Sequence, residues 1–180
     1  MNAQLQIKSA LHHNAYVTDD MEKIRAFYED IIGFELSATW CEKADLFGKE
    51  RVYMHCFFDI GNGSSLAFFQ FRDAEDHAEF GPELAHSAFR HLAMKVDQET
   101  QDGIRDRLAA ANIEAPDTYI LDHGYCYSLY VKDPAGLLIE FTVDHDDVDA
   151  INAQKKVDAH ADLANWLAGD HSPNNEQFHR

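Results

Sequence analysis

His13-Asn14-Ala15-Tyr16-Val17 and His91-Leu92-Ala93-Met94-Lys95-Val96 are two short apolar runs, each opening on histidine with alanine two residues later. Alternate side chains of a strand share a face, so His and Ala point the same way in both runs. The residues after each run are also alike. After Val17, Thr18-Asp19-Asp20 offers capping oxygens, and Met21, Ile24, Phe27, Tyr28, Ile31 and Ile32 recur at helical spacing up to Gly33. After Val96, Asp97-Gln98-Glu99-Thr100 opens a helix with Ile104, Leu108 and Ala109 on its apolar side. Asn112 stands where Gly33 stood, and Asn is second only to Gly at a left-handed helix terminus.

Working outward, the first helix is followed by candidate strands at residues 34–38, 52–60 and 65–71, the last two separated by Gly61-Asn62-Gly63. The second is followed by strands at 118–121, 125–131 and 137–143. Each half reads βαβββ, which predicts an α+β fold of two tandem modules, 11–71 and 89–143, within a domain over residues 1–146. The polar stretch 72–87 reads as a linker. In residues 147–180, Ile151, Val157, Leu163, Trp166 and Leu167 predict a C-terminal helical segment packed on the domain or on a partner chain, with a mobile tail from His171.

Composition excludes several functions. With 15 basic and 32 acidic residues among 180, the formal charge is -17, which repels nucleic acid phosphates and anionic lipid. No apolar run is long enough to span a bilayer, and the start of the chain lacks the pattern of a secretory signal. Cys41, Cys56 and Cys126 are odd in number and form no CxxC pair, as in a reducing compartment. These features predict a cytoplasmic protein with no nucleic-acid or membrane partner.

The repeat also selects a site. Gly63-Ser64-Ser65-Leu66-Ala67-Phe68 aligns with Gly136-Leu137-Leu138-Ile139-Glu140-Phe141, so the inward positions are His13 and Ala67 in one copy, His91 and Glu140 in the other. Two His and one carboxylate hold a divalent metal and leave positions free, the arrangement of non-heme iron sites; imidazole and carboxylate suit Fe(II), Mn(II), Zn(II) or Ni(II) without selecting sharply among them. A lone strand-opening His is more often a hydrogen-bonded structural residue, but Glu140 sits in an apolar run where an uncompensated carboxylate is costly. His13 is preferred to His12 because only that choice puts Ala at plus two in both copies. Gln70, three residues from Ala67, faces the other way in a regular strand, which argues against it as a fourth ligand.

These residues, together with Asp133-Pro134-Ala135-Gly136 ahead of Glu140, resemble the vicinal oxygen chelate superfamily over residues 11–143. Within it, His123 through Glu140 is similar to the signature of type I extradiol dioxygenases. The resemblance implies a metal-dependent enzyme cleaving a catechol-like aromatic with O2, catalytic roles for His123 and Tyr130, and a homodimer. Phe57, Phe58, Phe68, Phe69, Phe71, Tyr125 and Tyr127 are candidates to line an aromatic pocket. The chain departs from that pattern at Ser64, where a catalytic-base His is expected, which leaves His55 or His123 to supply the base. A glyoxalase-like isomerase or lyase, an epoxide-opening resistance enzyme, and a non-catalytic small-molecule-binding protein are the alternatives.

Overall fold

The computed structural model describes residues 9–82 and 87–175. They group into two compact units, one holding the elements of the first copy and one those of the second; the turn Asp133–Gly136 packs with the first.

In the first unit, β1 (His13–Val17) is followed by α1 (Met21–Arg25), β2 (Leu36–Leu46), β3 (Lys49–Asp59), β4 (Ser65–Phe71) and α2 (Ala74–Phe80). The sheet order is β1-β4-β3-β2, with β1 parallel to β4 and the rest antiparallel. Asp20 caps α1 by accepting from the Lys23 amide at 3.1 Å. The helix widens into a π-helix over Ala26–Ile32, where the Gly33 amide reaches back to Tyr28 O at 2.9 Å, and Gly33 closes it at φ 98°. Tyr28 packs on Phe27, Phe58 and Phe68, and these are buried together with Ile24 and Leu66; each such side chain contributes about 1.5–3 kcal/mol. The Tyr28 hydroxyl donates to Asp133 Oδ2 at 2.7 Å, which seats the Asp133–Gly136 turn in this unit.

The second unit contains β5 (His91–Lys95), α3 (Gln98–Ala110), β6 (Thr118–Asp122), β7 (Cys126–Lys132), β8 (Leu138–Asp144) and α4 (Val148–Leu167), with sheet order β5-β8-β7-β6. Asp97 caps α3 through the Thr100 amide at 2.8 Å, and Asn112 takes a positive φ of 57°. Gln101, buried, donates to the carbonyls of Tyr127 and Phe141 and so pins α3 to β7 and β8. Ile104 and Leu108 complete the core with Leu129, Val131, Ile139 and Phe141.

Three expectations change. The second strand extends to Leu46 because Phe47 and Gly48, both at positive φ, make a tight hairpin that pairs Leu46 with Lys49. Within the stretch read as a linker lies α2, held by buried Asp76, which pairs with Arg51 and, at 2.8 Å, with Lys49; residues 83–86 of that stretch lie outside the described residues. The described part of the tail is tied back to α4: Trp166 packs against His171, and Asn174 bonds with Lys155 and Asp162. Only Val148 and Ile151 of α4 are buried, whereas Val157, Leu163, Trp166 and Leu167 are exposed. No helix among the described residues is long and apolar enough to cross a membrane.

Candidate metal centre

β-register sorts each sheet into a face against its helix and a face turned away from it. In the second unit Ala93 pairs with Glu140, Glu140 with Tyr130, and Tyr130 with Tyr119, so His91, Glu140, Tyr130 and Tyr119 share the face opposite α3. His91 Nε2 lies 2.8 Å from Glu140 Oε2. His91 Nδ1 is 3.1 Å from the Ala88 carbonyl, which can only accept, so Nδ1 carries a proton. In the neutral imidazole this leaves an acceptor at Nε2, facing a carboxylate oxygen at hydrogen-bond distance. Two acceptors so placed need a cation or an added proton between them, and a divalent ion fits that need; an imidazole anchored through its other nitrogen is the usual form of a histidine ligand.

Glu140 is 5% exposed, and its other oxygen, Oε1, accepts from Thr142 Oγ1 at 3.0 Å. His123 sits in the β6–β7 turn, where the Gly124 amide bonds Asp122, and its Nε2 lies 3.0 Å from the Tyr130 hydroxyl. Burial, a hydrogen bond to Glu140 and that carboxylate's charge raise the Tyr130 pKa well above the ordinary tyrosine value. Tyr119 stacks on Tyr130 at 4.9 Å, and His91 meets its edge at 5.6 Å.

In the first unit the face opposite α1 carries His13, Ala15, Val17, Ala67, Phe69, Phe71, Tyr53, His55 and Phe57. His13 packs edge-on to Phe57 and His55, with its Nδ1 2.7 Å from that of His12. His55 stacks on Phe69 at 3.7 Å; its Nε2 is buried with no hydrogen-bond partner among the described residues, and burial lowers its pKa. Gln70 accepts from the Met21 amide at 2.8 Å on the helix side, turned away from the face that holds Ala67. The Ser64 hydroxyl bonds the Leu11 carbonyl and anchors the chain entering β1.

A cavity of about 450 Å³ on this face is lined by Ala15, Val17, Leu46, Tyr53, Phe69, Phe71 and Phe80. Phe80 of α2 stacks on Phe71, with the Arg51 guanidinium 4.7 Å over its ring. Of the aromatic candidates, Phe69 and Phe71 line the cavity, while Phe58 and Phe68 are core. No three His, Cys, Asp or Glu side chains among the described residues form a metal-holding group. His91 and Glu140 form one pair in the second unit, His123 and Tyr130 another, and His13 belongs to the first unit.

Residues 10–141 match the model of the Glyoxalase/Bleomycin resistance protein/Dioxygenase superfamily. The chain belongs to this superfamily. No curated protein matches it in sequence. Among solved structures, FosX, the genomically encoded fosfomycin resistance protein of Listeria monocytogenes, complexed with Mn(II) and sulfate, is 18% identical over 81% of this chain and 99% of its own, with a TM-score of 0.54. A FosX variant with Mn(II) and 1S,2S-dihydroxypropylphosphonic acid is 20% identical over 79% and 95%, TM-score 0.54. The oxidase ChaP-H2 is 21% identical over 77% and 96%, TM-score 0.53. At these identities the likeness is one of fold, the glyoxalase superfamily's paired βαβββ modules. Members of the superfamily are typically metal-dependent enzymes.

Sequence reasoning passed over Thr142, Tyr119 and the Ala88 carbonyl. Thr142 and Tyr119 had a signal: each shares the face of Glu140 by strand alternation or cross-strand register, but Thr and Tyr are ordinary strand residues and did not stand out.

Proposed function

We propose that this chain is a metal-dependent ring-cleaving dioxygenase acting on a catechol-like aromatic, with Fe(II) held by His13, His91 and Glu140. The reading rests on one observation: the anchored His91 imidazole faces Glu140 at 2.8 Å beside the hydrogen-bonded Tyr130–His123 pair. When bound, the ion supplies a Lewis-acid centre with positions free for two vicinal substrate oxygens and for O2. Tyr130, its pKa held up, keeps its proton at neutral pH and gives it to Glu140, and in this reading a substrate oxygen takes over that hydrogen bond. His123, 3.0 Å from that hydroxyl, takes up or returns the proton. With Ser64 committed to the Leu11 carbonyl, His123 is the base in this reading.

Charge favours a neutral aromatic over a phosphonate such as the FosX variant holds. Among the described residues, the strand cations on the faces opposite α1 and α3 are Lys49, Arg51, Lys95 and Lys132, and each is paired with a carboxylate: Asp76, Asp76 and Glu79, Asp144, and Asp117 respectively. The cavity beside Phe69 and Phe71 suits an apolar ring. A homodimer in the cytoplasm belongs to the same reading.

Anaerobic purification, metal analysis and oxygen uptake with a panel of catechols test it. The expected result is stoichiometric iron and uptake with at least one catechol. Iron without uptake on any catechol refutes the reaction, and a protein that binds no metal refutes the site.

A further inference from the structure

We propose that Thr142 is a positioning residue that makes Glu140 a one-oxygen metal ligand. The inference rests on the metal reading above and concerns how many coordination positions stay open. Glu140 has two oxygens: Oε2 faces His91 Nε2 at 2.8 Å, and Oε1 accepts from Thr142 Oγ1 at 3.0 Å, while the Tyr130 hydroxyl also hydrogen-bonds this carboxylate. A carboxylate whose second oxygen is held by a donor meets a metal through one oxygen; released, it can swing in and occupy a second position.

The hydrogen-bond chain behind Thr142 has one direction. Threonine has a single hydroxyl proton and gives it to Glu140, so the 3.2 Å contact with Ser128 Oγ runs from Ser128 to Thr142. The Ser128 proton is then committed, and the Cys126 thiol, 3.8 Å away, is the donor to Ser128. Ser128 is fully buried and Cys126 3% exposed, and burial raises the Cys126 pKa, which keeps the thiol protonated. Ser128 pairs with Thr142 and Tyr130 with Glu140 across β7 and β8, so the register of two rigid strands sets the geometry. Three polar side chains thus point in sequence at one carboxylate oxygen.

The test uses Mn(II) as the probe, with binding followed by the electron paramagnetic resonance of free Mn(II) and bound water counted by water-proton relaxation. T142V removes the hydroxyl and keeps the branched shape, T142S keeps the hydroxyl, and S128A weakens the chain one step back; circular dichroism checks folding. Three protein ligands leave about three of six positions for water, so closing one lowers the relaxation enhancement per bound ion by about a third. The expected result is that fall in T142V, a smaller fall in S128A, and none in T142S. An unchanged enhancement in T142V and S128A, or an equal fall in T142S, overturns the proposal while leaving the metal site standing. Failure of the unaltered protein to bind Mn(II) overturns the metal reading and this inference with it.

Discussion

Replacing Tyr28 with Phe removes one oxygen and leaves the ring in place against Phe27, Phe58 and Phe68. What is lost is the 2.7 Å bond to Asp133, whose carboxylate is 3% exposed. A hydrogen bond to a charged group contributes about 1.5–3 kcal/mol, so Y28F lowers stability by about that amount near pH 7. For a chain of this size, about 2–4 °C per kcal/mol, the melting temperature falls by about 3–12 °C. The deficit also depends on pH. Burial first, then the charge of Asp133 and its hydrogen bond, push the Tyr28 pKa well above the ordinary value of 10.0. The folded state therefore holds this proton more tightly than the unfolded state. The stability so contributed is fully present below pH 10, and is lost as pH rises through the folded pKa. Urea denaturation of both proteins from pH 7 to 11 measures the difference, which should shrink above about pH 10. A Y28F protein as stable as its parent at pH 7, or a gap that does not narrow in alkali, refutes the reasoning.

H91A and E140Q should each abolish stoichiometric metal binding, and H12A should preserve it, as metal analysis of the purified variants will show. D76N leaves the buried Arg51 with the half-exposed Glu79 as its remaining carboxylate partner and takes Lys49's buried partner as well, and should cost about 3–5 kcal/mol in urea denaturation. F71A and F80A open the cavity wall and should raise KM for aromatic substrates about tenfold while kcat stays within about twofold, the pattern of lost uniform binding in steady-state kinetics. His55 has a folded pKa depressed below 6.5 by burial, so its contribution to stability is present above that value and lost as pH falls below it; H55L should flatten the decline between about pH 7 and 5 in thermal melts.

The repeat was legible because its signals are local. Asp20 and Asp97 cap helices through the next turn, and Gly33 and Asn112 take the left-handed conformation, so each could be read within a few residues. The far half of β2 was not legible: Glu42, Lys43 and Asp45 show no apolar alternation, and the strand exists because Phe47-Gly48 turns it back along β3. Helix α2 was hidden for a similar reason, since its anchor Asp76 finds Arg51 and Lys49 on a strand well upstream. At the site, Glu140 stood out as a carboxylate in an apolar run, and comparing the copies singled out His91. Tyr130 and His123 were reached through family resemblance, and their 3.0 Å contact joins a residue of the β6–β7 turn to one on β7.

The turn Asp133–Gly136 bears on how the chain is made. The first unit takes a piece of its interior from a segment that leaves the ribosome late, and Asp133 stands 105 residues after Tyr28. The nascent N-terminal half therefore carries Tyr28 without its acid until translation has passed most of the second copy. A contact of such sequence separation is slow to close, so this bond is among the last that the first unit makes.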